Sequence, residues 1–182
     1  FNLRNHQVII GCVARFHAVK NHDYLLSIFS KIKDIPNIRL VLIGTKMDEN
    51  NLALMEKIKK YNIQDKVKLL GKRNDVFYIY KLFDIFILTS LSEGFPNVLA
   101  EAMINKNICL STNVGDTKAI INNNKFIIPK NDIKKSAEML KKLIKKKNSK
   151  QWFLIKNKNK KQIIDNFSLI KMVKEYSYVW NS

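Results

Sequence analysis

Short apolar runs rich in β-branched residues alternate with amphipathic segments along most of the chain. The runs predict strands over Gln7–Cys12, Arg39–Ile43, Val67–Leu70, Ile85–Thr89, Ile108–Ser111 and Phe126–Ile128. The segments between them repeat apolar residues at helical spacing and predict helices near Asp23–Lys33, Asn51–Tyr61, Val76–Phe83, Phe95–Asn105, Thr117–Ile121 and Asp132–Lys147. Strands that alternate with helices need crossover connections, and runs that are apolar throughout are typical of a parallel sheet covered on both faces.

This alternation predicts an α/β fold, a doubly wound Rossmann-like parallel sheet of about six strands with helices on both faces. No linker rich in Gly or Pro and no internal repeat divides the chain, so we predict one domain over residues 1–182. Its sheet core is expected at about 7–148 and its terminal helices at about 149–182. The apolar residues expected to pack these helices back on the fold are Phe153, Ile163, Ile164, Phe167, Leu169, Ile170, Val173, Tyr176 and Trp180.

Composition narrows the class of protein. The chain has 182 residues, enough for one domain with a sizeable core, and no apolar run approaches the ~20 residues that a membrane-spanning helix needs. Two cysteines are too few for a disulfide scaffold, and because Cys12 and Cys109 lie in predicted strands we expect buried, reduced thiols. The chain starts with Phe1 and has no signal-peptide pattern, so we expect a piece of a longer cytoplasmic protein.

The net charge of +18 allows three interpretations. The chain contains 29 Lys, 21 Asn and 24 Ile, a bias that scatters lysine over solvated faces whatever the function. Residues 131–182 carry 14 Lys against 4 acidic residues, and this basic tail could also attract an anionic membrane surface from the cytoplasmic side. Nucleic-acid binding is disfavoured, because no motif of stacking aromatic residues accompanies the charge.

Two loops after predicted strands carry the candidate chemistry, since ligands of doubly wound sheets bind beyond the carboxyl ends of the strands. Arg15 and Lys20 lie at the two ends of the loop after the first strand. The planar guanidinium of arginine can bind two phosphate oxygens at once and the flexible lysine adds a second positive charge, so this pair suits a diphosphate. The alternative interpretation is that Arg15 and Lys20 are ordinary surface cations in contact with solvent. Gly11 is not followed by further glycines at the dinucleotide-binding spacing, so NAD binding by that motif is disfavoured.

The loop after the fourth strand runs from Thr89 into a predicted helix. Gly94 permits an unusual backbone angle and the close approach of a ligand, and Pro96 suits the first helical turn, whose free N–H groups attract anions or hydroxyls. Glu93 precedes this turn, and Glu101 lies ~6–8 Å farther along the helix, about the separation of a diphosphate from its ribose. The alternatives are a capping carboxylate for Glu93 and an ordinary exposed helix position for Glu101.

The stretch Glu93–Met103, with two glutamates around Gly-Phe-Pro-Asn, closely resembles the signature of retaining glycosyltransferases with the GT-B fold. That family includes sucrose synthases and many bacterial lipopolysaccharide and capsule transferases. Four other segments are similar to the family's donor-binding half in the same order: Gly11-Cys12-Val13-Ala14-Arg15 through Lys20, Leu40–Gly44, Val67–Gly71 and Asn113-Val114-Gly115. The resemblance covers about residues 7–145 and implies the C-terminal half of a GT-B fold.

The resemblance implies that the substrate is a nucleotide-diphosphate-sugar, with a UDP-sugar favoured, and that neither a metal nor another cofactor is needed. Arg15 and Lys20 would neutralise the diphosphate in the ground state and as the leaving group departs, and Glu93 would contact the donor sugar. These three are the implied catalytic residues. Family members retain the anomeric configuration, with the leaving phosphate helping to deprotonate the acceptor.

Seven more residues are implied to bind the donor. Glu101 would hold the ribose hydroxyls, and Gly71 and Lys72 would lie near the base. The residues whose backbone N–H groups would hold sugar hydroxyls or phosphate oxygens are Gly94, Phe95, Asn97 and Val98.

The chain departs from the family pattern at two turns. Asn21 stands where a glycine usually follows the loop lysine, which should matter little because Asn also tolerates positive φ. Asp116 stands where a second glycine often follows Gly115, and it is expected to alter only a turn.

The resemblance is confined to the donor-binding half. The acceptor, a sugar or lipid-linked glycan, would bind a half that precedes Phe1 and usually supplies a catalytic histidine. His6, His17 and His22 do not match that histidine in position and are expected to be surface or loop residues. We therefore expect this chain to bind nucleotide-sugar weakly without turning it over. The alternatives are a UDP-sugar epimerase, which shares the two-domain plan, and a basic module that binds polyanions.

Overall fold

The computed structural model describes residues 7–168, together with residues 170, 171, 173, 177 and 180. Its strands are β1 Val8–Val13, β2 Ile38–Ile43, β3 Val67–Leu69, β4 Ile85–Leu88, β5 Ile108–Thr112 and β6 Ile127–Ile128. Its α-helices are α1 His22–Ser30, α2 Leu52–Lys60, α3 Val76–Ile79, α4 Asn97–Ile104, α5 Thr117–Ile121, α6 Ile133–Lys145 and α7 Lys150–Phe167. Short 3-10 turns occur at Ala18–Lys20, Gln64–Lys66, Tyr80–Leu82 and Asn124–Phe126.

The strands form one six-stranded sheet in the order β3-β2-β1-β4-β5-β6, and every pairing is parallel. On one side of β1, Val8 lies opposite Ile38 of β2, and on the other side Ile10 lies opposite Ile85 of β4. The strand order reverses between β1 and β4. The predicted doubly wound sheet is therefore confirmed, and the crevice where ligands of such sheets bind lies between the carboxyl ends of these two strands.

Helices cover both faces of the sheet. On one face α1 packs against α2 and α6, and on the other α4 packs against α5 and α7. Because both faces are covered, consecutive residues of the central strand are buried, as at Ile9 and Ile10. This explains why the strands are apolar throughout rather than alternating.

Polar side chains fix where several helices begin. Asn51 accepts a hydrogen bond from the Leu54 amide at the start of α2, and Ser149 accepts one from the Trp152 amide at the start of α7. Such caps satisfy amides that have no partner within the helix, and each contributes about 1 kcal/mol.

The predicted strands agree with the structure to within one residue at each end, but two predicted helices end three or four residues earlier than expected. The helix expected over Asp23–Lys33 starts at His22 and ends at Ser30. The helix expected over Val76–Phe83 is α3 followed by the 3-10 turn Tyr80–Leu82. The tighter turn brings Tyr80 into the core, where it is 1% exposed.

The terminal helix packs on the sheet domain with only one face. In α7, Trp152 and Ile163 are buried, whereas the neighbouring Phe153 and Ile164 are exposed, because adjacent helical residues point in different directions. The prediction that all the apolar residues of this region pack inward is wrong for Phe153, Ile164, Ile170, Val173 and Trp180, which are exposed. Leu169 and Tyr176 lie outside the described residues. No helix in the described part is both long and apolar enough to cross a membrane.

Candidate functional site

The loops after β1 and β4 are joined at the carboxyl edge of the sheet. The Leu91 amide donates a hydrogen bond to the Val19 carbonyl oxygen at 2.8 Å. The Thr89 hydroxyl donates to the carbonyl oxygens of Lys20 and Asn21, at 3.2 and 3.1 Å. The two segments in which the sequence predicts chemistry thus form one structural unit.

An ion pair connects these loops. Lys20 Nζ lies 2.6 Å from Glu93 Oε1, and the two side chains are 20% and 11% exposed. The Ser90 hydroxyl donates to the same carboxylate oxygen at 2.6 Å. Partial burial of this pair strengthens its Coulomb attraction over that of a surface pair. Lys20 is therefore not merely a solvated cation, whereas Arg15 is exposed and its side chain has no hydrogen-bond or ion-pair partner among the described residues.

The turn between β4 and α4 differs from its prediction in two respects. Pro96 has ψ 90° and is the N-cap, so α4 starts at Asn97 and Phe95 is not helical. Gly94 does not have a positive φ, and a Cβ added there would meet nothing within 4 Å. The unusual backbone angle expected at Gly94 is absent, but the space beside it is open. No side chain caps α4, and within the described residues the amides of Asn97 and Val98 donate no hydrogen bond.

Glu93 is consequently not a capping carboxylate, because its partners are the lysine and the serine described above. Glu101 is exposed, as its alternative interpretation required, but it is not a free helix side chain. Its Oε2 accepts a hydrogen bond of 2.9 Å from the hydroxyl of Tyr80, a residue that is 1% exposed. The sequence did not single out Tyr80, because a tyrosine in an apolar helical pattern is predicted to be an ordinary core residue.

Two glycines lie directly against the backbone of the site loops. Gly115, in the loop after β5, has φ +48°, and a Cβ added there would lie 2.2 Å from the Gly94 oxygen and 2.3 Å from the Glu93 oxygen. Gly44, at the end of β2, has φ +143°, and a Cβ there would lie 2.2 Å from the Ala14 oxygen. Only glycine combines these backbone angles with such close approach.

Both departures from the family pattern fit the local geometry. Asn21 has φ 50° and ψ 51°, confirming that it tolerates the left-handed conformation, and its side chain accepts a hydrogen bond from the Tyr24 amide at the start of α1. Asp116 is the residue before α5, and its amide donates to the Gly94 oxygen at 3.1 Å. The backbone of Asp116, not its side chain, therefore ties the loop after β5 to the turn before α4.

Gly71 and Lys72 follow β3, which is separated from β1 by β2. Gly71 has φ +63°; its amide donates to the Met47 oxygen at 2.8 Å and its oxygen accepts from the Gly44 amide at 2.9 Å. Lys72 is exposed. These residues belong to the same edge of the sheet as the ion pair, but they lie two strands away from β1.

His22 is neither a surface nor a loop residue, contrary to the prediction. It is the first residue of α1, it is 3% exposed, and neither ring nitrogen has a hydrogen-bond partner in the described structure. Its ring stacks on Phe16 with centroids 5.7 Å apart. Burial and the nearby charge of Lys20 lower the pKa of His22 to about 4. His17 is exposed, as expected, and His6 lies outside the described residues.

The cysteines are buried, as expected, and burial raises the pKa of Cys12 to about 12 and that of Cys109 well above its ordinary value. Both thiols are therefore protonated and unreactive near neutral pH. Among the described residues, no three His, Cys, Asp or Glu side chains are grouped so that they could hold a metal ion.

The chain matches the family Glycosyl transferases group 1 over residues 1–162. It is 26% identical over 176 residues to the Escherichia coli UDP-Gal:alpha-D-GlcNAc-diphosphoundecaprenol alpha-1,3-galactosyltransferase, covering 94% of this chain and 44% of the relative. It is 27% identical over 184 residues to the capsular polysaccharide biosynthesis glycosyltransferase CapM of Staphylococcus aureus, covering 99% of this chain and 47% of the relative.

Solved structures share the fold. Anabaena HepE in complex with UDP superposes with a TM-score of 0.84 at 16% identity, covering 96% of this chain and 49% of the other. The chain thus spans about half the length of each of these three proteins. The doubly wound sheet agrees with the resemblance drawn from the motif around Glu93, and the family match extends over most of the sequence. This chain belongs to the glycosyl transferases group 1 family.

Proposed function

We propose that this chain is the donor-binding domain of a retaining glycosyltransferase that uses a UDP-sugar to build a bacterial-type surface polysaccharide or glycolipid. The observation that carries the proposal is the Lys20–Glu93 ion pair, which joins the loops after β1 and β4 at the switch point of the sheet. The names of the relatives support the substrate classes, since one is named for UDP-Gal and a lipid diphosphate and another for capsular polysaccharide. The structure of HepE contains UDP.

The two cations would hold the diphosphate. Arg15 is exposed on the loop after β1, and its planar guanidinium can bind phosphate oxygens in pairs. Lys20 would turn from the Glu93 carboxylate towards the diphosphate, which frees Glu93 to accept a hydrogen bond from a hydroxyl of the donor sugar. As the bond between sugar and phosphate breaks, charge develops on the leaving diphosphate, and these two cations would stabilise it without a metal ion.

The start of α4 supplies neutral donors to the same site. The amides of Asn97 and Val98 lie in the first turn, where the helix dipole favours negative charge, and they join those of Gly94 and Phe95 as candidate donors to phosphate or sugar oxygens. The open space beside Gly94 would admit the ligand close to the backbone. Farther along α4, the Glu101 carboxylate would accept hydrogen bonds from the ribose hydroxyls. Gly71 and Lys72 would flank the base.

Calorimetric titration with UDP, GDP and ADP tests the proposal. We expect UDP to bind most tightly, and Lys20→Ala, Arg15→Ala and Glu101→Ala each to weaken binding by about tenfold or more, because each removes a charge-assisted hydrogen bond. Lys147→Ala is the matched control: Lys147 pairs with Asp84 at 2.7 Å, its side chain is 19% exposed, and this pair lies at the opposite edge of the sheet. Equal losses in the control and the site variants, or no binding of any nucleotide, would contradict the proposal.

A basic module that binds polyanions is the second candidate, and the net charge of +18 favours it. It predicts affinity for nucleic acid that falls steeply with salt and does not change in Glu101→Ala. The transferase proposal predicts the reverse, a specific nucleotide affinity that depends on Glu101. The epimerase alternative is less favoured, because the relatives are named as transferases; acceptor-dependent release of UDP by the longer protein would exclude it.

The stereochemistry and the acceptor are part of the same proposal. We expect the anomeric configuration of the donor to be retained, with the leaving phosphate helping to deprotonate the acceptor, which proton NMR of the product of the longer protein would test. The acceptor would be a sugar or lipid-linked glycan bound by residues beyond this chain. We therefore expect this chain by itself to bind UDP-sugar without turnover, and rapid sugar transfer by residues 1–182 alone would contradict this.

Membrane attraction is a separate part of the proposal. The basic region 131–182 would hold the protein at an anionic membrane surface, close to a lipid-linked acceptor. Flotation with vesicles of neutral and of anionic lipid tests this. Equal flotation with both compositions would contradict it.

A further inference from the structure

Glu101 does not meet its ligand as an isolated carboxylate. It lies in the second turn of α4, and its Oε2 accepts a hydrogen bond of 2.9 Å from the Tyr80 hydroxyl. A carboxylate has about four acceptor positions, so this bond leaves Oε1 and part of Oε2 available. Because Glu101 is exposed, those positions can reach a ligand.

Tyr80 is a rigid support for that carboxylate. Its ring is 1% exposed and lies edge-on to Phe83 and tilted against Phe86, with centroids 6.0 Å apart in both pairs. The Tyr80 carbonyl oxygen accepts a hydrogen bond of 2.9 Å from Asn107 Nδ2, so the backbone is held as well as the ring. The phenol oxygen therefore has little freedom to follow Glu101.

This support extends through the domain to the terminal helix. The Asn107 carbonyl oxygen accepts a hydrogen bond of 2.7 Å from Asn159 Nδ2, and Asn159 belongs to α7. Both asparagines are buried, at 1% and 6% exposure. A continuous set of polar contacts thus runs from α7 to the start of β5, to Tyr80 and finally to Glu101.

The protonation state of the Tyr80 phenol suits a hydrogen-bond donor that faces a carboxylate. Burial and the Glu101 charge raise the pKa of Tyr80 far above its ordinary value, so the phenol keeps its proton near neutral pH. A phenol that stays protonated can only donate to an ionised carboxylate, which fixes the direction of the hydrogen bond.

We propose that Tyr80 is a positioning residue: by holding Oε2, it aims the remaining acceptor positions of Glu101 at two neighbouring hydroxyls and so makes the site selective for a ribonucleotide over a 2′-deoxyribonucleotide. This inference rests on the proposed function, in which Glu101 holds the ribose. A flexible glutamate would lose rotamer freedom on binding each time, whereas a glutamate held in place has already lost it.

The test compares UDP with 2′-deoxy-UDP in calorimetry. Tyr80→Phe removes one oxygen atom, and we expect it to weaken UDP binding by about threefold to tenfold, the range for freezing one mobile side chain. Binding of 2′-deoxy-UDP should change by less than about twofold, so the preference for the ribonucleotide falls. Tyr24→Phe is the matched control, since Tyr24 is also buried and its hydroxyl bonds the Pro129 oxygen and Ser136.

A double-mutant cycle guards against a merely structural effect. In a Glu101→Ala background, which leaves the phenol no acceptor at this position, Tyr80→Phe should not weaken UDP binding further, because the phenol acts only through the carboxylate. Equal losses for both nucleotides, no loss in Tyr80→Phe, or a full further loss in the double variant would each overturn the inference. If Glu101→Ala itself leaves UDP binding unchanged, the ribose assignment fails first. If Glu101→Ala weakens binding while Tyr80→Phe does not, only the role of Tyr80 fails.

Discussion

Acidification tests the burial of His22. The histidine is 3% exposed and has no hydrogen-bond partner among the described residues, and burial together with the Lys20 charge lowers its pKa from 6.5 to about 4. Above pH 6.5 the imidazole is neutral in both the folded and the unfolded chain. Between pH 6.5 and pH 4 the unfolded chain binds a proton that the folded chain excludes, so stability rises with pH across this window and is lost as pH falls.

The size of the effect follows from the shift. A difference of about 2.5 pKa units corresponds to about 3 kcal/mol once both states are protonated, and most of it, about 2–3 kcal/mol, is lost between pH 7.5 and pH 4.5. That is a large part of the 5–15 kcal/mol that is usual for a domain, so the unfolding midpoint in urea should fall visibly.

Urea unfolding at several pH values, followed by circular dichroism, measures this loss. Carboxylates also titrate in acid, so the informative quantity is the difference between the wild type and His22→Gln, which has no imidazole to protonate. We expect the advantage of the wild type to shrink by about 2–3 kcal/mol as pH falls from 7.5 to 4.5. His17→Gln, which replaces an exposed histidine, should follow the wild type. If His22→Gln loses as much stability in acid as the wild type, the reasoning is refuted.

Backbone geometry leads to three more predictions. Gly115→Ala should lower the free energy of unfolding by about 2 kcal/mol or more and weaken UDP binding, because its Cβ would overlap backbone oxygens at 2.2 Å; unchanged urea midpoints would contradict this. Gly94→Ala, where nothing lies within 4 Å, should change stability by less than about 0.5 kcal/mol, so that any loss of UDP affinity in calorimetry reports on ligand approach. Asn21→Gly should cost under about 1 kcal/mol in urea unfolding, whereas Asn21→Ala should cost about 2–3 kcal/mol, because alanine loses the cap and strains at φ 50°; equal costs would argue against strain at this position.

The sheet was predictable because its strands are apolar throughout and are separated by helical periods. That alternation admits few topologies, and parallel crossovers then put the loops of Arg15 and Glu93 at one edge. The resemblance to a known family added the expected roles of the two glutamates, Glu93 at the donor sugar and Glu101 at the ribose. Neither pattern could show that Lys20 forms an ion pair with Glu93, because this pair depends on the distance between two loops 73 residues apart in sequence.

Other features depended on contacts that have no local signature. His22 reads as polar, yet Phe16 from the preceding loop covers its ring. Pro96 suits both the position before a helix and its first turn, and it becomes the N-cap because ψ is 90°. Tyr80 and Glu101 are 21 residues apart in sequence, with β4 between them, and a side chain that looks like an ordinary core residue thereby contacts the candidate site.

The two glycines behind the site loops have a consequence for how this domain tolerates sequence change. Neither Gly44 nor Gly115 belongs to the residues proposed to touch the donor, yet any side chain at either would collide with the backbone of the loop in front of it. A saturation mutagenesis library scored on nucleotide capture should therefore show both positions as intolerant as the charged residues themselves. Donor preference can change through substitution of the exposed side chains of these loops, whereas Gly44 and Gly115 have room only for a hydrogen atom and cannot be substituted.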